Sequence, residues 1–259
     1  MPGPAPRPEA VPDDSILREM VARARRGVPE LPQFHSLAGA RQYRRLYRMV
    51  RRHVPAGARV LDWGTGSGHF SYFLTRAGYR ATGYSIEGVS HAAWLGEPYE
   101  RFVGGSTGDP VTLPFESGSF DAVASVGVLE HVRETGGSEA RSLGEIARVL
   151  RPAGAFLCYH FPNHTSWVDF AASRIPGRHH HVYRYGRADI AALVRGAGLE
   201  LVETRRYGLL PRNSLHRVLG PLRDARWAAD LWDALDAALG VPFSALCQNW
   251  AFVARKPAR

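Results

Sequence analysis

The sequence predicts an α/β fold, a mostly parallel sheet covered by helices on both faces. Two observations carry this. Short apolar runs alternate with segments of helical apolar spacing from residue 56 to residue 207. The turns that join them are rich in glycine and proline, at Gly64, Gly66, Gly68, Gly78, Gly118, Pro152 and Gly154. Strands that alternate with helices pair in parallel, because each helix carries the chain back across the sheet. Right-handed crossovers then fix the handedness.

Each element has its own signal. Residues 1–14 are rich in Pro and Ala and are expected to form a disordered tail. A short helix follows at Ser15–Arg26, ended by Gly27 and Pro29. A second helix covers residues 38–53, with Tyr43, Leu46, Tyr47 and Val50 on one apolar stripe. Arg41, Arg44, Arg45, Arg48, Arg51 and Arg52 take much of its remaining surface. They read as a solvated face, with a patch for an anionic partner as the alternative.

Residues 58–63 form the first strand, 69–78 a helix closed by Gly78, and 79–86 the second strand. Further strands are expected at 119–128 and 155–161, around a helix at 142–154 that keeps Leu143, Ile146 and Leu150 on one side. A helix at 187–198 and a strand at 199–208 continue the pattern. The alternation stops at 208–246, where two helical pieces are interrupted by proline. In the second piece Trp227, Leu231, Ala234, Leu235 and Leu239 form the apolar set. Residues 247–254 give a last strand. The chain thus divides into a tail (1–14), a helical cover (15–55), a core (56–207), a helical insertion (208–246) and a final strand with its tail (247–259).

Composition limits the function classes. The 259 residues are 45% hydrophobic and 22% charged, which excludes collagen-like, repeat, disulfide-scaffold and wholly disordered chains. No apolar stretch approaches the ~20 residues of a membrane span. The first thirty residues carry no apolar signal core, so a cytoplasmic protein is expected. Cys158 and Cys247 are too few for a disulfide framework or a structural zinc site and read as buried thiols. The net charge is +9, and Lys256 is the only lysine. This basicity permits binding to nucleic acid or acidic lipid without indicating it.

The strongest local signal is the run Asp62-Trp63-Gly64-Thr65-Gly66-Ser67-Gly68, between a strand and a helix. Glycines there let the backbone turn tightly and approach a ligand. The spacing is G-x-G-x-G rather than the dinucleotide G-x-G-x-x-G. The carboxylate of Asp62 suits a ligand ammonium and is a poor neighbour for pyrophosphate.

At these residues the sequence resembles the class I S-adenosylmethionine-dependent methyltransferases, in their small-molecule branch. Asp62-x-Gly64-x-Gly66-x-Gly68 resembles the family's first motif. Three more stretches follow in family order: Gly108–Phe115 (GDPVTLPF), Val128–Val132 (VLEHV) and Glu145–Gly154 (EIARVLRPAG).

The resemblance implies a Rossmann-like doubly wound sheet of seven strands, in the order 3-2-1-4-5-7-6 with the last strand antiparallel. That order places Cys158 and Cys247 on neighbouring strands, close together without a disulfide. The implied cofactor is S-adenosylmethionine, with S-adenosylhomocysteine as product. Its implied contacts are Tyr43, Asp62, Gly64, Thr65, Gly66, Gly68, Ser85, Glu87, Asp109, Pro110 and Val126. The family usually carries an acid at the end of the second strand to hold the ribose. Here Ser85 stands in that position, and Glu87 is the nearest acid.

Methyl transfer is an in-line displacement, so the protein mainly aligns the nucleophile and excludes water. A hydroxyl or ammonium acceptor also needs a base, and imidazole suits that role near neutral pH. His131, after the fourth strand, is the first candidate, with His160, His164, His179 and His181 as alternatives. In an extended chain only His179 and His181 of the His179–His181 run share a face, and no carboxylate cluster lies next to them in sequence, so no metal site is expected.

The Asn/Asp-Pro-Pro-aromatic motif that goes with amino-group methylation of nucleobases or glutamine is absent at Val126–Glu130. A small-molecule acceptor is therefore expected, and nucleic acid is not. Tyr43, Trp227, Trp232 and Phe243 are candidates to line its pocket. The alternatives are an RNA methyltransferase, a nicotinamide-dependent oxidoreductase, and a binding protein on the same fold without turnover.

Overall fold

The computed structural model describes residues 11–27, 31–86, 102–212, 222 and 224–258. The N-terminal part is helical, with α1 (Asp13–Arg25), a single turn α2 (Leu37–Ala40) and α3 (Arg44–His53). Then β1 (Arg59–Trp63), α4 (His69–Arg76), β2 (Arg80–Ser85), β3 (Phe102–Gly104) and β4 (Phe120–Val126) follow. The second half holds α5 (Glu139–Val149), β5 (Leu150–Pro162), α6 (Trp167–Ala172), α7 (Arg187–Gly196), β6 (Glu200–Tyr207), α8 (Arg226–Leu239) and β7 (Asn249–Arg255).

The seven strands form one sheet in the order β3-β2-β1-β4-β5-β7-β6, as expected. β1 pairs in parallel with both β2 and β4, so the strand order reverses at β1. β7 is antiparallel to β5 and β6. In an open sheet of this kind, ligands bind beyond the carboxyl ends of the strands at the reversal.

Alternation along the strands supplies two cores, one per face. On one face, Val60, Ala122, Ala124, Leu157 and Val253 meet Ile16, Leu46, Tyr47, Phe70 and Phe73 of α1, α3 and α4. On the other, Leu61, Val123, Phe156, Cys158 and Phe252 meet Leu143, Ile146, Ile190 and Val194 of α5 and α7. The stripe expected on residues 38–53 is buried as read, at Tyr43, Leu46, Tyr47 and Val50.

Several expectations are corrected. Residues 11–14 belong to the fold rather than to a tail. Asp13 accepts a bond from Arg51, Asp14 accepts two from Arg44, and the Val11 N–H donates to the Arg76 carbonyl. The arginines of α3 and the turn before it divide: Arg48, Arg51 and Arg52 are exposed, as a solvated face requires, whereas Arg41 is buried and Arg44 partly so. Arg41 pairs with Asp230 and Asp233, Arg44 with Asp14 and Asp233, and Arg52 with Glu203. They fasten the N-terminal helices to α8 and β6.

That fastening turns α8 over. The helix docks through Asp230, Asp233 and Asp236, the last of which accepts from the Leu210 N–H. Its expected apolar face, Trp227, Leu231, Leu235 and Leu239, is exposed instead, and so is Phe243. Charge pairing, not the apolar stripe, sets its orientation. Cys158 and Cys247 are both free and buried, but they are not close. Cys158 pairs with Phe252, whereas Cys247 precedes β7 by two residues and lies beyond the Pro162–Asn249 pair. Four or more strand residues separate them, on the order of 13 Å.

Candidate functional site

The turn after β1 shapes the first cavity. Gly64, Gly66 and Gly68 all have positive φ, at 78°, 47° and 78°. The N–H groups of Gly64 and Thr65 donate to the Tyr84 carbonyl of β2, at 2.8 and 2.9 Å. A Cβ on Gly64 would fall 2.4 Å from Val128 Cγ2, so only glycine fits there. A Cβ on Gly66 would meet nothing nearer than 3.9 Å, because that side of the loop opens into the cavity.

Asp62 stays behind the loop. It is 2% exposed, and its Oδ2 accepts from Thr65 Oγ1 at 2.9 Å and Ser71 Oγ at 2.7 Å. Burial outweighs these bonds and pushes its carboxyl up to about 6. Asp62 and Thr65 thus brace the turn, and Gly68 begins α4.

The first cavity holds about 320 Å³ and is lined by Gly64, Gly66, Ser85, Pro110, Val128 and His131, among others. Asp109 is not among the lining residues; beside Pro110, its Oδ1 accepts from the N–H groups of Val111 and Thr112. The Thr112 side chain, together with those two backbone N–H groups, holds its carboxyl below the usual range. Glu87 lies outside the described residues. An open glycine cradle, a strand-end hydroxyl at Ser85 and the buried, unpartnered hydroxyl of Tyr84 fit a ligand with a polar, ribose-like middle.

A second cavity of about 560 Å³ adjoins the first and shares Gly127 and His131 with it. Tyr43 and Val126 line this second space rather than the first. Tyr43 stacks on Phe34, with ring centroids 5.1 Å apart, and meets His69 and His160. Of the expected pocket aromatics, only Tyr43 lines either cavity among the described residues.

The histidines separate by environment. His131 lines both cavities, and His179 and His181 line the second. His164 lines neither, and its Nδ1 faces the Tyr185 carbonyl at 3.4 Å. His160 reaches the second cavity from a bulge in β5, where its φ is 68°. Its backbone N–H donates to the Tyr207 hydroxyl, and its Nδ1 lies 3.0 Å from the same oxygen. Burial presses its imidazole down to about 3, so it stays neutral and is a poor base. His69, not singled out from sequence, is lowered to about 4 by burial, and its Nε2 has no partner.

Two acids complete this region, Glu130 in the wall of the second cavity and Asp169 behind His181, and neither was assigned a role from sequence. Glu130 is 3% exposed, burial raises its carboxyl to about 8, and its Oε2 has no partner. Asp169, near the start of α6, accepts from both the ring and the backbone of His181. Burial would raise Asp169, but the His181 bonds prevail and hold it at about 2. No carboxylate cluster adjoins the histidine run in sequence, but the fold brings Glu130 close to it. Glu130, His131 and His181 each bring a donor atom within 4.8 Å of the others. The sheet delivers Glu130 and His131 from the turn after β4, far from His181 in sequence.

Comparisons agree with this geometry. The model of a methyltransferase domain family matches residues 61–158, the stretch from β1 to β5. An uncharacterized methyltransferase of Mycobacterium sp. (strain KMS) is 31% identical over 65% of this chain, which spans 58% of that relative's length. The ubiquinone biosynthesis O-methyltransferase of Xanthomonas axonopodis pv. citri is 31% identical, over 61% of this chain and 69% of its own. The 1,6-didemethyltoxoflavin-N1-methyltransferase of Burkholderia thailandensis, solved with S-adenosylhomocysteine, shares the fold with a TM-score of 0.53. It is 22% identical, over 98% of this chain and 94% of that one. The chain belongs to the class I S-adenosylmethionine-dependent methyltransferases.

Proposed function

We propose that this chain transfers a methyl group from S-adenosylmethionine to an oxygen or nitrogen of a small molecule. The observation that carries the reading is the shared wall of the two cavities at Gly127 and His131. The first cavity takes the cofactor, through Gly64, Gly66, Ser85, Asp109 and Pro110, with Asp62, Thr65 and Gly68 holding the loop in shape. Glu87 supplies the missing ribose acid from the following segment. A Glu87→Ala variant is then expected to bind the cofactor more weakly, and unchanged affinity would remove Glu87 from the site.

When bound, S-adenosylmethionine supplies an electrophilic methyl group on a positively charged sulfur. The chain's own residues do the rest. Gly127 and the Glu130–His131 turn set the boundary across which the acceptor must align. The acceptor occupies the second cavity, whose volume lies within the roughly 300–1,000 Å³ of small-molecule sites. His131, and His181 beside it, face the acceptor atom and draw off its proton. Tyr43 and Val126 shape the acceptor side.

The arginine-rich turn and helix do not favour RNA as acceptor, because Arg41, Arg44, Arg51 and Arg52 are engaged with acids of the same chain. The test is a screen of hydroxyl- and amine-bearing compounds with methyl-labelled cofactor. Label transfer to a small compound, lost in His131→Ala, is expected. Transfer to bulk RNA and to no small compound would overturn the reading.

A further inference from the structure

Three donors converge where the two cavities meet. Glu130 Oε1 and His131 Nε2 are 4.0 Å apart, and His181 completes a set whose donor atoms lie within 4.8 Å of one another. Both rings are oriented in the same way. The Nδ1 of His131 is 3.0 Å from Glu134 Oε1, and the Nδ1 of His181 is 3.0 Å from Asp169 Oδ1. A carboxylate on Nδ1 keeps the proton there and leaves the Nε2 lone pair free. Histidines that ligate metals are held in this way.

Glu130 is the unexplained member of the set. It is buried, one of its oxygens has no hydrogen-bond partner, and no Lys or Arg pairs with it among the described residues. A buried carboxylate without a partner is costly unless a cation or a proton meets it. Asp169 likewise keeps one buried oxygen unpaired.

We infer that Glu130, His131 and His181 bind a divalent first-row transition-metal ion, with Asp169 and Glu134 as the outer carboxylates and with open positions toward the second cavity. Two imidazoles and one carboxylate are a donor set such ions accept. Bonds of about 2.0–2.2 Å require the donors to draw together by roughly an ångström.

The inference rests on the proposed function only for the acceptor and replaces one part of it: with Nε2 of His131 and His181 on the ion, the two imidazoles act as ligands rather than as bases. An ion placed there takes a hydroxyl oxygen of the acceptor as a further ligand and makes its proton more acidic. The hydroxyl proton leaves to solvent. The oxygen lone pair forms the new O–C bond as the C–S bond breaks and its electron pair returns to sulfur. The acceptor class is therefore a hydroxyl-bearing molecule, preferably one with a second oxygen able to chelate.

The test uses untagged full-length protein, stripped with a chelator and dialysed. Co²⁺ is titrated while its visible absorption is followed, and Zn²⁺ is titrated by calorimetry, both without the cofactor. One ion per chain is expected. Affinity should fall at least tenfold in Glu130→Gln and in His181→Ala, and should be unchanged in His180→Ala, which alters the member of the run that lines neither cavity. Circular dichroism confirms that each variant is folded, and Glu130→Gln keeps the side-chain shape if His181→Ala does not fold.

Absence of binding, or equal loss in His180→Ala, would overturn the site. S-adenosylhomocysteine is titrated in parallel. A chain that binds S-adenosylhomocysteine but takes up no ion refutes the ion site and leaves the methyltransferase reading intact. Ion binding without S-adenosylhomocysteine upholds the site and removes that reading.

Discussion

His181 and Asp169 are joined twice, by Nδ1 to Oδ1 at 3.0 Å and by the His181 backbone N–H to the same oxygen at 3.1 Å. Asp169 is itself fixed, since its own N–H donates to Ser166 Oγ at the start of α6. The pair sets both the position and the tautomer of the His181 ring. Asp169→Asn preserves shape and removes the charge. Methyl transfer is expected to fall by about 10–100-fold, while S-adenosylhomocysteine affinity stays unchanged. Activity assays beside calorimetry check this, and an equal loss of cofactor affinity would place Asp169 in the fold rather than the site.

The two glycines of the loop predict different failures. Alanine at either position meets a positive φ, at a cost of about 1–2 kcal/mol. Gly64→Ala also drives a methyl group into Val128, so its main loss is expected in stability, about 2–3 kcal/mol by denaturant melting. Gly66→Ala points into the open cavity. Its stability should fall by only about 1 kcal/mol, while cofactor affinity drops at least tenfold.

Acid sensitivity follows from His69. Burial lowers its imidazole from 6.5 to about 4. Between those values the unfolded chain takes up a proton that the folded chain refuses. Its contribution is therefore fully present above pH 6.5 and is lost as pH falls toward 4. The shift corresponds to about 3 kcal/mol. His69→Gln should flatten part of the acid limb of a stability–pH curve, with His160 retaining its own share in the same direction.

The docking of α8 depends on Arg41, whose side chain is 3% exposed between Asp230 and Asp233. Arg41→Met leaves those acids without their buried partner. A loss of about 2 kcal/mol in denaturant melting is expected, less than for a fully buried pair because Asp230 is half exposed. Protease cutting within residues 226–239 should quicken in the same variant.

Much of the fold was legible because its signals are local. The glycine turn after β1, the stripe at Tyr43, Leu46, Tyr47 and Val50, and the alternation of β4 and β5 each show in a few residues. The short elements were not legible. β3 has three residues and α6 has six, too few for a period to register. The orientation of α8 was misread, because the partners of its acids are Arg41 and Arg44, far away in sequence.

The same division runs through the site. Gly64 and Gly66 could be read in place. The grouping of Glu130, His131 and His181, with Asp169 behind it, could not, since only the fold brings those residues together. One signal was present in hindsight. Glu130 is an acid in a largely apolar stretch just after a central strand, and such a residue is buried only for a reason.

The most direct test of the account is calorimetric titration of the purified chain with S-adenosylmethionine and S-adenosylhomocysteine, with NAD as the comparison. The glycine turn with Asp62 behind it, and a cavity ending at Ser85 and Pro110, predict micromolar binding of the first two and none of NAD. Failure of both to bind, or binding of NAD in their place, would contradict the account.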